Sequence, residues 1–110
     1  MANSGFLGEF EQALLLAVLR VGEGAYGSSI RKELAACTGR KVSHGASYVT
    51  LDRLEAKGLV RSELGSSTPG RGGRRKRLFR VTAAGIAALK ESRDALVNLW
   101  SGVEEMEEKP

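Results

Sequence analysis

One cysteine, one histidine, one tryptophan and two prolines are all that 110 residues supply of those types, and the scarcity excludes whole classes of chemistry. With Cys37 and His44 each alone, neither a disulfide framework nor a Cys/His zinc site can be assembled within one chain. The composition fits a reducing compartment, with Cys37 expected to be buried as a small hydrophobe. Long apolar runs are missing too. The stretch from Ala13 to Leu19 is preceded by Glu9 and Glu11, whereas a signal peptide wants a basic lead and a membrane span about twenty apolar residues. A soluble, cytoplasmic protein without a membrane partner is therefore expected. Catalytic signatures are equally scarce: there is no glycine loop ending in Lys-Ser/Thr, no serine in a nucleophile elbow and no histidine–carboxylate pair. The sequence gives no reason to expect an enzyme, a metal or a cofactor.

What the chain does have is one concentration of positive charge. The formal net charge is +4, and residues 61 to 81 hold seven Lys/Arg against one acid, so this segment outweighs an acidic C-terminal stretch. Leu59 to Leu64 and Lys76 to Val81 carry branched and aromatic residues suited to strands. Between them Gly65, Pro69, Gly70, Gly72 and Gly73, with Ser66, Ser67 and Thr68, suit a loop. The result is a basic hairpin, whose confined charge suits a footprint on nucleic acid. A solvated basic loop is the plainer reading.

The rest reads as helices in one modest domain. A first helix from about Leu7 or Gly8 to Val21 is apolar nearly all round, which in so small a domain calls for cover from a second subunit. An amphipathic second helix spans about Ala25 to Cys37. Ser43 is placed to cap a third helix that ends at Gly58. Ser47, Leu51 and Leu54 share its inner face, while Gly45, Ala46, Val49, Thr50, Arg53 and Lys57 form a small or basic outer face able to enter a major groove. Thr82 caps a fourth helix running to about Met106, with Ile86, Leu89, Leu96, Trp100 and Val103 in a seam that suits dimerisation. Its glutamate-rich end opposes the helix dipole, and fraying is expected there. Overall the fold class is mainly α with a two-stranded β wing: a winged helix-turn-helix over residues 1–82 and a dimerisation helix over 83–110, in one unit.

Four segments in this order, GEFEQALLLAVL, AYGSSIRKEL, GASYVTLDRLEAKGLV and RRKRLFRVTAAGIAAL, resemble the PadR family of bacterial transcriptional regulators. The likeness runs from Gly8 to Leu89 and rests on Gly8, Phe10, Glu11, Tyr26, Gly27, Gly45, Tyr48, Leu51, Arg53, Leu54, Glu55, Gly58, Leu59 and the TAAG of Thr82 to Gly85. Ser47 and Val49 depart from the larger apolar residue and the proline frequent beside the tyrosine, and Phe79 stands where a tyrosine is usual. With one C-terminal helix, the chain is similar to the family's short subclass. The resemblance implies dimers formed through the first and last helices, and in some members a flat aromatic effector at that interface.

The expected function is thus a homodimeric DNA-binding regulator, a repressor of a pseudo-palindromic operator in double-stranded DNA; a protein-interaction or RNA-binding winged helix is the alternative. The residues expected at DNA are His44, Tyr48, Thr50 and Arg53 in the third helix and Arg71, Arg74, Arg75, Lys76 and Arg77 in the wing. Tyr48 reads equally as a phosphate contact or as packing beside Leu51. The expected dimer interface comprises Phe10, Leu14, Leu89, Leu96, Leu99, Trp100 and Val103. Trp100, with Leu96, is placed either to fill the core or, facing its twin across a two-fold axis, to hold a small aromatic ligand.

Overall fold

The structure is a computed structural model that describes residues 6–65 and 75–107. Three helices form the body: α1 (Glu9–Val21), α2 (Gly27–Thr38) and α3 (His44–Ala56). A hairpin of β1 (Val60–Leu64) and β2 (Arg77–Val81) follows, then α4 (Ala83–Trp100) and a short α5 (Val103–Glu107). The strands are antiparallel, with Val60 opposite Val81 and Leu64 opposite Arg77. A third rung is supplied ahead of α2, where Tyr26 bridges Leu78 and the Phe79 N–H donates to the Ala25 carbonyl at 2.8 Å.

The apolar spacing read from the sequence builds one core. Leu14, Leu15 and Val18 of α1 meet Ile30 and Leu34 of α2, Leu51 and Leu54 of α3, and Val60, Phe79 and Val81 of the hairpin. Leu16 and Leu19, on the other sides of α1, stay 48% and 41% exposed. Ser43 caps α3 as expected, accepting from the Ala46 N–H at 3.0 Å, and Gly58 takes a left-handed φ of 80° just past the helix end.

Thr82 fixes the start of α4. Its hydroxyl accepts from the Gly85 N–H at 3.0 Å and donates to the Gly58 carbonyl at 2.7 Å. Gly85 is needed because α4 runs directly against the chain leaving α3: a Cβ there would collide with the Leu59 carbonyl oxygen and lie 2.7 Å from a Val81 methyl. The expected single helix to Met106 is instead broken, because Ser101 leaves helical geometry and Gly102 adopts φ 81°.

Beyond Ser92 the fourth helix leaves the body. Gly85, Leu89 and Ser92 are buried, whereas Leu96, Val97, Leu99 and Trp100 are at least half exposed. This projection accounts for a Cα radius of gyration of 16.7 Å, against about 13 Å for a compact chain of this length. Among the described residues no helix is long and apolar enough to cross a membrane.

Candidate nucleic-acid interface

The inner face of α3 is locked into the core, and that lock decides what its outer face can offer. Ser47 is wholly buried, its hydroxyl donating to the His44 carbonyl at 2.8 Å, and Leu51 and Leu54 are fully covered. Thr50 departs from expectation: it is only 5% exposed and belongs with this inner set. Positions 47, 50, 51 and 54 follow the i, i+3, i+4, i+7 spacing of one helical stripe, so the outer face drawn from the sequence is one position too wide at Thr50. His44, Gly45, Ala46, Val49, Asp52 and Arg53 are exposed.

Tyr48 is half-buried and acts as a spacer between elements. Its ring centroid lies 4.5 Å from that of His44 and 6.0 Å from that of Phe79. It also presses so closely on the start of α2 that a Cβ at Gly27 would come within 2.6 Å of its hydroxyl. The ring thus packs against Gly27, His44 and Phe79. His44 is exposed, with Nδ1 3.4 Å from an Arg31 guanidinium nitrogen.

Arg77 also corrects an expectation. It makes ion pairs of 2.8 Å with Asp52 and 2.7 Å with Glu55, both on α3, and its Nε donates to the Ser62 hydroxyl at 3.1 Å. Ser62 in turn donates its hydroxyl at 2.8 Å and its N–H at 3.1 Å to Glu55. The guanidinium is thus consumed inside the chain, where it clamps the base of the hairpin to α3. The hydroxyl and N–H of Ser62 with the charge of Arg77 outweigh desolvation and hold the Glu55 carboxyl below its ordinary range. Desolvation of Arg77 is in turn outweighed by Asp52 and Glu55, which favour its charged form. The sequence reading missed this clamp, because Asp52 and Glu55 meet Arg77 only once the hairpin folds back on α3.

Arg75 and Lys76 are exposed, and the Lys76 ammonium sits 3.9 Å from the centroid of the Tyr26 ring. Arg71 and Arg74 lie outside the described residues. On α3, Arg53 points outward within the field of a second ion pair. The Glu11 carboxylate, only 9% exposed, accepts from Lys57 Nζ at 3.0 Å and from the Gly8 N–H at 2.9 Å. Burial pushes this carboxyl up, but the Gly8 N–H, Lys57 and the charge of Arg53 together pull it below its usual value. The sequence reading missed this link between the ends of α1 and α3.

The surfaces expected to meet a second chain divide in two. Leu14 is wholly buried and Leu89 is 7% exposed, so both belong to the subunit's own core, contrary to expectation. Phe10 and Val103 are half-buried, while Leu96, Leu99 and Trp100 stand 50%, 67% and 55% exposed. Trp100 does not fill the core of a single chain. Cys37 is exposed, contrary to expectation: its spacing from Ile30 and Leu34 would put it on the buried stripe, but it falls in the last turn of α2, which ends at Thr38, and its Sγ donates to Glu33 at 3.4 Å.

A three-helix body, a clamped basic hairpin and a capped α3 with an exposed small and basic face together form a winged helix. Residues 15–91 match the sequence profile of the Transcriptional regulator PadR-like family. The chain belongs to that family. PadR-like proteins are transcriptional regulators, not enzymes. Transcriptional regulator Rv3488 of Mycobacterium tuberculosis is 45% identical over 74 residues, which cover 67% of this chain and 64% of that protein. The match thus spans a little under two thirds of that relative's length. A PadR-like transcriptional regulator from Bacillus cereus shares the fold with a TM-score of 0.72 at 21% identity, over 92% of this chain and 93% of that one. A PadR family regulator from Eggerthella lenta gives a TM-score of 0.68 at 26% identity, over 93% and 88% of the two chains.

Proposed function

We propose that this PadR-like protein is a homodimeric repressor that reads a pseudo-palindromic operator in double-stranded DNA with two α3 helices and two basic wings. The observation that carries the reading is the Arg77 clamp onto Asp52 and Glu55. It makes a helix suited to a major groove and a cationic hairpin move as one body, as winged-helix docking requires. It also offsets the acidic charge of Asp52 on a face that must approach phosphate. His44 and Arg53 serve at the helix, and Arg71, Arg74, Arg75 and Lys76 along the backbone. Phe10, Leu96, Leu99, Trp100 and Val103 meet their copies in the partner, which sets the spacing of the two half-sites. A flat aromatic ligand held by Trp100 and Leu96 of both subunits relieves repression in the cytoplasm by changing the angle between wings; it must bind the two dimer geometries unequally.

Footprinting of the upstream DNA at several salt concentrations tests this. A protected pseudo-palindrome is expected, with log affinity falling against log salt at a slope of roughly −5 to −9 for about six to ten phosphates. Arg75→Ala should make that slope shallower by about one per contact removed. Arg77→Ala should weaken binding more than Arg75→Ala, because it both releases the hairpin from α3 and leaves the charge of Asp52 uncompensated beside phosphate. A slope near zero, or retention blind to sequence, would refute the reading.

A further inference from the structure

Val49 is the one large apolar side chain among the exposed positions of α3 and stands at the middle of that face, 60% exposed. One turn before it are Gly45 and Ala46, and the direction of a Cβ at Gly45 opens on empty space. One turn after it are Asp52, held by Arg77, and the exposed Arg53. Whatever α3 docks on therefore meets the two branched methyls of Val49 before the shorter residues beside it. Isolated surface hydrocarbons are ordinary, yet this one is set apart by its surroundings. Among the described residues the other large apolar groups exposed on helices lie on α1, α4 and α5, whereas Val49 sits on α3 among small and charged neighbours.

A partner that matches such a face presents a narrow apolar spot framed by anions. In a major groove the apolar group offered by a base edge is the C5-methyl of thymine. We propose that Val49 is a specificity-determining residue that packs on the C5-methyl of a thymine in each half-site. The inference rests on the DNA-reading function above and names the base it discriminates. Arg53, a turn further along, supplies the charged contact that holds the helix in register, while Gly45 and Ala46 allow the close approach a methyl–methyl contact needs.

The test begins with selection of duplexes from a random pool by the full chain, followed by replacement of each thymine of the selected site by deoxyuridine, which lacks only the methyl. One position per half-site should lose about fourfold in affinity, the worth of one buried methyl. Val49→Ala, a surface change that leaves the fold intact, alters both subunits at once and should lose about fourfold per half-site, about sixteenfold in all, on thymine DNA and nothing further on DNA with deoxyuridine at both positions. If no thymine responds to the replacement, or if Val49→Ala loses equally on both DNAs, the inference is overturned while operator binding stands. Failure to enrich any duplex overturns the DNA-reading function and this inference with it.

Discussion

At the scale of single residues, charge is used mainly to hold parts together, and two carboxylates show how. Glu11 joins α1 to the end of α3 through Lys57, and Glu55 joins α3 to the hairpin through Ser62 and Arg77. Both titrate below the ordinary carboxylate value of 4.5. A carboxylate depressed by folding lends stability that is in place above the unfolded value and is lost as pH falls through the lower folded value. Urea unfolding at fixed protein concentration should therefore show constant stability from neutral pH to about 5 and a decline below it. Glu11→Gln keeps an acceptor for the Gly8 N–H but removes the charge. It should cost about 1 kcal/mol at neutral pH, as expected of a partly exposed ion pair, and it should shrink the acid decline. An unchanged acid decline would mean that the Lys57 pair contributes nothing.

At the scale of elements, the readable features were those set by local rules. The caps at Ser43 and Thr82, the strand-forming arms and the buried trio Ser47, Leu51 and Leu54 follow from spacing and capping chemistry, and all are found. What spacing could not give was set by neighbours distant in sequence. Arg77 is drawn to acids 22 and 25 positions earlier, and Leu89 is claimed by its own subunit. The fourth helix was read through Ser101 and Gly102 because its seam resumes at Val103; the seam continues, but the glycine turns the backbone. The glycines of the Tyr-Gly and TAAG segments have a physical explanation as close contacts at Tyr48 and at Leu59. At Gly85 the obstacle is a backbone carbonyl, which cannot swing aside. Gly85→Ala should therefore destabilise by roughly 1–2 kcal/mol, overpacking outweighing a helix-propensity gain of up to about 1 kcal/mol. Gly45→Ala, with open space before it, should be neutral or slightly stabilising. Thermal denaturation of the two variants checks this, and a stabilised Gly85→Ala would show that α4 can move away from the turn it is drawn against.

At the scale of the whole molecule, the protein is a body with a bare helix leaving it. Leu96, Leu99, Trp100 and Met106 are half or more exposed, and covering them would contribute roughly 1–2 kcal/mol each. Leu16 and Leu19 on α1 are exposed as well, Leu19 in the cleft between α1 and the hairpin. The proposed occupant is a second copy of the chain, which also gives the DNA-reading parts a use, since one winged helix contacts one half-site and a two-fold pair fixes the distance between two. The effector idea depends on the same pairing, because only a dimer sets two Trp100 rings opposite each other. Dimerisation is thus the claim on which operator spacing, repression and ligand relief all depend. Sedimentation equilibrium of the full chain at micromolar concentration is the decisive measurement: a folded species of twice the 11.8 kDa subunit mass is expected, and a stable, folded species of 11.8 kDa would overturn dimerisation.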